Sequence, residues 1–366
     1  MNKIKVLEVN KMYFPVTGGI ERVVQQISEG LKDEVDIDVL VCQKKGRQAK
    51  ENINGVNVIK SGSMGVLFSM PVSFSFFINF FKLCRKYDVI NFHMPFPLGD
   101  LACLLSGYNG KVVVWWHSDI VKQKKIMLFY KPIMHRFLKR ADVIVAATEG
   151  HVEYSEYIKE FKSKCVIIPY GVDKNIAKNA ENKITEQNYG PVKFLFVGRL
   201  VYYKGLNYLI EAMKNVDNSA LTIVGKGPLE QEVTERIEKS GLSGRVEIKN
   251  GLNDSELSEE FCKCDVFVLP SVEKSEAFGI VQIEAMIYGK PVINTNLKSG
   301  VPYVGINGKT GITVEPRNAA ELSNAMNRLA LNRDERIRMG NFARKYALEH
   351  YSEDKMLKNI LKIYKS

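Results

Sequence analysis

Short runs of Val, Ile and Leu recur along the chain and alternate with longer stretches of helical pattern. Continuous apolar runs separated by helices are typical of parallel strands that are covered on both faces. We therefore predict an α/β fold made of doubly wound sheets. The predicted strands are IKVLEV, DIDVLVC, VNVIK, DVINF, KVVVWWH, DVIVAAT and CVIIP in the first half, and VKFLFVG, ALTIVG, RVEIKNG, DVFVLP and PVINT in the second.

A polar segment rich in Asn and Lys, GVDKNIAKNAENKITEQNYGP, separates the two groups of strands. It has few large apolar side chains, so residues 173–191 are predicted to be an interdomain linker. The sequence thus predicts one Rossmann-like domain over residues 1–172, a second over 192–346, and a helical segment over 347–366. Ligands of such sheets bind beyond the carboxyl ends of the strands, and we expect the site in a cleft that the two domains face.

The composition is that of a globular protein with 366 residues, 45% hydrophobic and 25% charged, which suits two domains with full cores. The first residues, MNKIKVLEVNKMYFP, lack the long apolar core of a signal peptide. The cysteines are scattered through apolar segments without a CxxC pair, so we expect free thiols in a reducing compartment, the cytoplasm. They are Cys42, Cys84, Cys103, Cys165, Cys262 and Cys264.

The net charge is +11, and +8 of it falls on residues 1–172. A basic half suits nucleic acid, an anionic membrane surface or a phosphorylated substrate. Because no arginine-rich tract with aromatics, helix-turn-helix or RRM signature is present, we expect no nucleic-acid partner. The apolar residues 64–86 are interrupted by Pro71 and Asn79 and are hardly long enough to span a bilayer, so they predict a buried or membrane-grazing helix. The basic run Lys122–Lys125 is more often a solvated face.

Two cations follow a predicted strand in FVGRLVYYKGLNYLIEAM, with Arg199 at the strand end and Lys204 in the turn before a helix. Paired cations beside a helix start can neutralise a diphosphate, since the guanidinium offers a fork and the ammonium a compact charge. The alternative is that both are solvated turn residues.

Two glycine pairs invite a phosphate-binding interpretation. Gly225 and Gly227 follow a strand, but the third glycine of a GxGxxG motif would fall at Glu230, whose acid opposes pyrophosphate, so a hydride-transfer enzyme is disfavoured. Gly18 and Gly19 precede a helix and can bring backbone N–H groups close to an anion, or form a plain flexible turn.

His117 leaves a predicted strand in VVVWWHSDIV, at the position expected to face a ligand, although a lone histidine there is more often structural. Asp36 and Asp38 have the spacing of metal-binding acids in one class of sugar transferase. Their segment alternates as a strand does, so no metal site is expected. Cys262 and Cys264 lie in an apolar passage and are not expected to bind metal either.

Two acids flank a small cluster in SVEKSEAFGIVQIEAMIYGKPV, with Glu276 before a predicted helix and Glu284 inside it. Eight helical residues rise about 12 Å, too far for two carboxylates that flank one glycosidic bond at about 5 Å in a retaining hydrolase. We expect them to hold different parts of one long ligand. The helix begins near Phe278, and its first amides with Arg199 and Lys204 would cradle a diphosphate between a sugar and a ribose.

Six segments in this order resemble the retaining glycosyltransferases of family 4, which have the GT-B fold. They are GGIERVV, VIIPYGVD, GRLVYYKG, VGKGPLE, DVFVLPS and EAFGIVQIEAMIYGKPVI, and they span nearly the whole chain.

The resemblance implies a nucleoside-diphosphate sugar as donor and no metal or other cofactor. It also implies that the helix EDKMLKNILKIYKS crosses back to the first domain. The implied site residues are Arg199 and Lys204 for the diphosphate, the backbone of Phe278, Gly279 and Ile280 for phosphate or sugar, Glu284 for the ribose, Glu276 for the transferred sugar, Gly18 and Gly19 for the phosphates, and His117 for the sugar near the reacting carbon.

WHSDIVKQKK and KSGVPYVGINGKTGITVEP are similar to bacterial mannosyl- and rhamnosyltransferases of surface-polysaccharide synthesis. This favours a GDP-sugar, with mannose as the sugar, over a UDP-sugar as the donor. It also implies a lipid-linked glycan acceptor and a protein peripheral to the inner face of the cell membrane. Two alternatives belong to other classes. A sugar-nucleotide epimerase of the same fold would need further acid/base residues, and an idle binding protein would more readily have lost Glu276 or Lys204.

Overall fold

The computed structural model describes residues 3–16, 18–67, 70–120, 124–182 and 190–366. They form two compact units, each built on its own parallel sheet. The first unit is made from residues 1–170 and 353–366, and the second from residues 171–352.

The sheet of the first unit has the strand order β10-β9-β8-β7-β1-β2-β4-β3, and its neighbours are parallel except β3 and β4. Its strands are β1 (Lys5–Val9), β2 (Asp36–Cys42), β3 (Ala49–Ile53), β4 (Val56–Ser61), β7 (Val89–Met94), β8 (Lys111–Trp116), β9 (Val143–Ala146) and β10 (Cys165–Ile167), and β5 (Val66–Leu67) and β6 (Met70–Pro71) form a separate hairpin. The helices are α1 (Gly19–Leu31), α2 (Phe74–Leu83), α3 (Pro97–Ser106), α4 (Lys124–Arg140) and α5 (Glu149–Glu153).

The sheet of the second unit is parallel throughout, in the order β13-β12-β11-β14-β15-β16. Its strands are β11 (Val192–Val197), β12 (Ser219–Val224), β13 (Val246–Lys249), β14 (Val266–Leu269), β15 (Val292–Thr295) and β16 (Gly311–Val314). Its helices are α6 (Lys174–Asn182), α7 (Leu206–Met213), α8 (Glu230–Lys239), α9 (Asp254–Lys263), α10 (Ile280–Ile287), α11 (Val301–Val304), α12 (Ala319–Leu331) and α13 (Arg333–His350). The following helix, α14 (Glu353–Lys365), belongs to the first unit.

The apolar runs form the centres of both sheets, as the hydrophobic pattern predicts. Every residue of β14 is buried, and so are the last five of β8. Helices cover both faces of such strands, which explains why the runs are continuous instead of alternating. The predicted doubly wound α/β fold is confirmed.

Strands with a weaker apolar pattern lie at the edges of the sheets. β3 has the sequence AKENI and pairs antiparallel with β4 at the edge of its sheet. An edge strand exposes one side to water, so polar residues are tolerated there. β16 has only four residues, and it also lies at an edge, that of the second sheet.

The described part of residues 64–86 contains the paired strands β5 and β6 followed by α2, so this stretch is not one continuous helix. Ser73 caps α2 by accepting a hydrogen bond from the Phe76 amide (3.1 Å), which explains why the helix begins there. Phe76 and Phe80 are buried, so one face of α2 packs on the core. Within the described ranges, no helix is long and apolar enough to cross a membrane.

The segment predicted to be a linker begins with α6, which packs on α9 and α10 of the second unit. Its apolar residues Ile176, Ala177 and Ala180 share one face, and Ala180 is buried. Residues 171–182 are therefore part of the second unit, and residues 183–189 lie outside the described residues.

α14 packs on α1 in the first unit. A side chain at Gly30 would place its Cβ 2.4 Å from Leu357, so the two helices approach closely because position 30 is glycine. The Lys111 ammonium donates to Ser366 Oγ (2.7 Å), which ties the segment after α14 to the start of β8.

Candidate functional site

A charged pair lies at the carboxyl ends of β11 and β14 in the second unit. The Lys204 ammonium is 2.5 Å from Glu276 Oε2, and the two side chains are 9% and 11% exposed. Lys204 ends a short 3₁₀ turn after β11, and Glu276 lies in the loop after β14. The sheet brings together two residues that are far apart in the chain.

The backbone of these two loops is held in register at Gly205. This glycine has φ +69°, and a Cβ there would lie 2.1 Å from the Pro270 carbonyl oxygen. The Val272 amide also donates to the Tyr203 carbonyl (2.7 Å). Only glycine permits this close approach, which sets the position of Lys204 next to it.

The Glu276 carboxylate has a second partner, since Ser271 Oγ donates to the same Oε2 atom (2.9 Å). The Ser271 carbonyl in turn accepts from Thr295 Oγ1 at the end of β15 (2.6 Å). Glu276 is thus anchored through two strand ends. Both of its contacts fall on Oε2, so Oε1 can accept hydrogen bonds from a ligand.

Arg199 lies two residues beyond β11, with an exposed side chain. Burial and the nearby Glu276 carboxylate raise the pKa of Tyr203, and Arg199 opposes that rise. The Lys204 ammonium lies 5.8 Å from the centre of the Tyr203 ring. Two cations and one acid therefore share the surroundings of Tyr203, as expected for a site that binds an anion next to hydroxyl groups.

The start of α10 lies in the same region of the second unit. Gly279 precedes the helix with φ +71°, and a Cβ there would lie 2.6 Å from Leu269. Gln282 Nε2 donates to the Phe278 carbonyl (3.0 Å), and Asn294 donates to Gln282 Oε1 (2.8 Å). These buried amides hold the turn that presents the helix N-terminus, whose free N–H groups favour an anion.

The remaining predicted residues of this unit lie on or beside α10. Ile280 is its first residue, and Glu284 lies one turn later with 7% of its surface exposed. The Phe278 ring packs edge to face on Tyr351 with centroids 6.2 Å apart. Phe278 is therefore largely a packing residue by its side chain, while its backbone borders the helix start.

In the first unit, Gly18 and Gly19 begin α1. Gly18 has an extended backbone that any residue adopts, and open space surrounds Gly19. A Cβ at Gly18 would lie 2.3 Å from a carboxylate oxygen of Glu21. An anion at this helix start would have to displace that carboxylate, which sequence reasoning did not foresee.

His117 follows β8 and is buried. Both of its ring nitrogens have partners, Nε2 with His93 Nδ1 (2.9 Å) and Nδ1 with the Tyr170 hydroxyl (2.7 Å). Burial lowers the pKa of His117 well below its usual value, and the adjacent His93 adds to the effect. The ring is therefore neutral near pH 7 and is part of a network.

Sequence reasoning missed the partner of this network on β1. His93 Nε2 lies 2.8 Å from Glu8 Oε2, and neither side chain is exposed. One signal was present, because an acid inside the apolar run KVLEV must find donors when the strand is buried.

One of the two acids with metal-like spacing, Asp38, has other partners. Asp38 accepts from Asn57 (3.1 Å) and from the Tyr87 hydroxyl. Over the part of the chain that the structure describes, no group of three or more His, Cys, Asp or Glu residues could hold a metal ion. All six cysteines are free thiols, and burial raises the pKa of Cys264, next to Cys262, to about 12.

Two family models match the chain. The model described as Glycosyl transferases group 1 covers residues 177–346, and that described as Glycosyltransferase Family 4 covers residues 17–175. The chain is 33% identical to O-antigen chain mannosyltransferase C of Escherichia coli over 99% of this chain and 98% of that protein. It is 35% identical to D-rhamnosyltransferase WbpZ of Pseudomonas aeruginosa over 88% of this chain and 86% of that protein.

Solved structures share the fold. A sucrose-phosphate synthase from Thermosynechococcus elongatus has a TM-score of 0.78 at 18% identity, with 99% of this chain and 98% of that chain covered. HepE of Anabaena in complex with UDP has a TM-score of 0.79 at 18% identity, with 98% and 99% covered. Because relatives at 33–35% identity extend over most of their own length, the chain belongs to the glycosyltransferases of family 4 and has the GT-B fold.

Proposed function

We propose that this glycosyltransferase moves a hexose, with mannose favoured, from a nucleoside-diphosphate sugar to a lipid-linked or saccharide acceptor, with retention at the anomeric carbon. The preferred donor is GDP-mannose, and the product belongs to O-antigen or another surface polysaccharide. The observation that carries the proposal is the full-length similarity to an O-antigen mannosyltransferase. The comparably similar D-rhamnosyltransferase keeps rhamnose as the second candidate sugar.

The Lys204–Glu276 pair supports separate roles for its two members, in which Lys204 binds the diphosphate of the donor and Glu276 binds the sugar. An ammonium has three donors, and one serves Glu276, so the others can bind phosphate oxygens. Arg199 adds a forked cation, and the start of α10 adds the amides of Gly279 and Ile280. These groups supply positive charge for the diphosphate without a metal, so EDTA is expected to leave activity intact.

Glu276 and Glu284 are assigned to opposite ends of the donor. Oε1 of Glu276 would accept hydroxyls of the transferred sugar, and Glu284, within α10, would accept the ribose hydroxyls. In the proposed step the bond from the anomeric carbon to the diphosphate oxygen breaks and the acceptor oxygen bonds on the same face. The acceptor proton passes to the leaving diphosphate, whose charge the cations stabilise.

Calorimetry with GDP and UDP, combined with initial rates, tests these assignments. Glu276→Gln should mainly lower kcat, because its contacts matter as charge develops at the anomeric carbon. Glu284→Gln should raise the donor KM and weaken the bare nucleotide as well, since both contain the ribose. Glu273→Gln, in the same loop as Glu276, is the matched control and should change neither.

The outcomes separate the possible errors. Loss of bare nucleotide binding in Glu276→Gln but not in Glu284→Gln would reverse the two roles. Tighter binding of UDP than GDP would replace the proposed donor, and a wild-type protein that binds neither nucleotide would contradict the donor site as a whole.

We also propose that the first unit attaches peripherally to the anionic inner face of the cell membrane. Phe74, Ile78 and Phe81 are exposed at successive turns of α2, and Phe74 is 75% exposed. Phe129 on α4 is 82% exposed. Exposed Lys82 lies in the last turn of α2, and exposed Arg85 and Lys86 follow the helix. Apolar side chains beside cations suit a bilayer interface.

Liposome flotation tests the attachment. The wild type should float with anionic vesicles at low salt and less at high salt, because salt screens the basic residues. Phe74→Ser and Phe129→Ser should reduce flotation, whereas Leu331→Ser, which changes an exposed apolar residue of the second unit, should not. Equal flotation of all variants, or none at low salt, would contradict the proposal. Of the basic run Lys122–Lys125, also expected to contribute, residues 122 and 123 lie outside the described residues, and the other two begin α4.

A further inference from the structure

The first sheet reverses its strand order between β1 and β7. The chain continues from β1 through β2 to the edge strands β4 and β3 on one side, whereas β7, β8, β9 and β10 follow one another on the other side. In open α/β sheets, ligands bind beyond the carboxyl ends of the strands at such a reversal. The residues that follow β1 and β7 are therefore the place where the fold of this unit favours a ligand.

Lys11 lies at this reversal, two residues beyond β1. Its carbonyl accepts a hydrogen bond from the Cys42 amide (3.0 Å), and the side chain of Asn10 donates to the Met12 carbonyl (2.9 Å), so the backbone is fixed on both sides of it. The side chain is partly buried. None of the residues that the structure describes forms a hydrogen bond or an ion pair with its ammonium, so its N–H groups are available to a ligand.

Asp100 lies on the other side of the reversal, in the first turn of α3 after β7. It is fully buried, and the Tyr130 hydroxyl donates to its Oδ2. Its Oδ1 is buried without a hydrogen-bond partner among the described residues. Burial lowers the pKa of Lys11, and the carboxylates of Glu21 and Asp100 oppose the fall. Both acids therefore lie within electrostatic range of the ammonium and favour its charged form.

The charges around Lys11 decide which ligand it can hold. Glu21, in the first turn of α1, balances the charge of the ammonium, and Asp100 adds a second acid. The three groups have no net positive charge, so the site does not favour a phosphate. A hydroxyl group is uncharged, and its oxygen can accept a hydrogen bond from the ammonium. The arrangement thus suits a ligand rich in hydroxyl groups.

We propose that Lys11 is a binding residue for a saccharide acceptor, whose hydroxyl oxygens accept hydrogen bonds from its ammonium, and that Asp100 is a positioning residue that acts on this ammonium from the buried side. The inference rests on the proposed function, because it assigns the acceptor of that reaction to residues of the first unit. No bond is made or broken at this site, and no proton is transferred.

Labelling of lysines with acetic anhydride, followed by mass spectrometry, tests the contact without a need for activity. Methyl α-mannoside at high concentration presents hydroxyl groups and no phosphate, and it should slow the labelling of Lys11 about tenfold. Inorganic phosphate should not. Lys5, exposed at the opposite end of β1, is the internal control and should react at the same rate throughout. Protection of Lys11 by phosphate alone, or by neither compound, overturns the inference.

Lys11→Met keeps the length of the side chain and removes its charge. Its Kd for methyl α-mannoside, from NMR titration, should rise at least tenfold because hydrogen bonds to a charged group are lost. Its Kd for GDP should stay at the wild-type value. Lys5→Met is the matched control and should change neither constant, and Tm shows that both variants fold.

Asp100→Asn separates a positioning role from a merely structural one. Without the acid, the pKa of Lys11 should fall further, which appears as faster labelling of Lys11 at neutral pH, and the sugar should bind more weakly. An unchanged labelling rate overturns the role of Asp100, and a wild-type sugar affinity in Lys11→Met overturns that of Lys11. A wild-type protein that binds neither GDP nor UDP would instead contradict the proposed function, since the sugar titration does not involve the donor.

Discussion

The two units place different chemistry at the same position of the same kind of sheet. In the second unit, the ends of β11 and β14 carry a charged pair, Lys204 and Glu276, at 9% and 11% exposure. In the first unit, His93 lies in β7 and His117 follows β8, so two imidazoles are neighbours there. A fully buried Glu8 contacts His93. The comparison teaches that the fold supplies the position and the side chains at the strand ends supply the chemistry.

Burial explains why the two sites differ. A charge without access to water must be satisfied by fixed donors, which is what Asn91, His93 and Tyr364 provide for Glu8. The Lys204–Glu276 pair keeps some solvent access, so either member can exchange a partner for a ligand. The buried groups of the first unit therefore keep their hydrogen-bond partners, whereas the pair in the second unit can change partners when a ligand binds.

Removing the charge of the second site should give the largest effect. Lys204→Ala should lower kcat/KM by about 10²–10³-fold, because the ammonium stabilises charge on the leaving diphosphate. Initial rates at several donor concentrations measure this. Lys226→Ala, an exposed cation beyond the neighbouring strand β12, is the control and should have wild-type rates. Equal losses in both variants would mean that general surface charge, and not the pair, matters.

A backbone change beside that pair should have the next largest effect. Gly205→Ala should destabilise the protein by about 3 kcal/mol, because its Cβ would overlap the Pro270 carbonyl in addition to the cost of a positive φ. Gly241→Ala has nearly the same φ, +68°, with open space around it, and should cost only about 1–2 kcal/mol. Denaturant unfolding measures both, and a smaller loss at Gly205 than at Gly241 would refute the close contact.

Lowering the pH should reduce the stability of the first unit, by less than the substitutions above. Burial lowers the pKa of His151 from 6.5 to about 4, so below about pH 6.5 the unfolded chain takes up a proton that the folded unit does not. The free energy of unfolding should therefore fall with decreasing pH, with a slope of up to about 1.4 kcal/mol per pH unit from this group, until about pH 4.

Hydrogen exchange measured by segment at several pH values tests this difference between the units. His151→Phe should flatten the acid response of the first unit, and His350→Ala, which changes an exposed histidine of the second, should not. A slope that is the same in both variants and in the wild type would show that another group dominates.

The sequence predicts the sheets well because parallel strands must be apolar on both faces, and runs such as KVVVWW admit little else. Lys204 and Glu276 are each predicted to be donor-binding residues from their motifs. Their contact is not, since it depends on which strands become neighbours. Glu8 and His93 were missed for the same reason, being 85 positions apart in the chain. α6 was predicted to be part of a linker because it has only three apolar residues, and these are enough to pack it on α9 and α10.

The grouping of residues 353–366 with residues 1–170 sets an order on biosynthesis. The second unit is continuous in sequence and has all its residues once Ser352 has been made. Synthesis of the first unit begins before that of the second, but α14 is made last. Until then Glu8 lacks the Tyr364 hydroxyl that donates a hydrogen bond to it in the folded protein. Since domains tend to fold as they emerge from the ribosome, the unit that is started first is completed second.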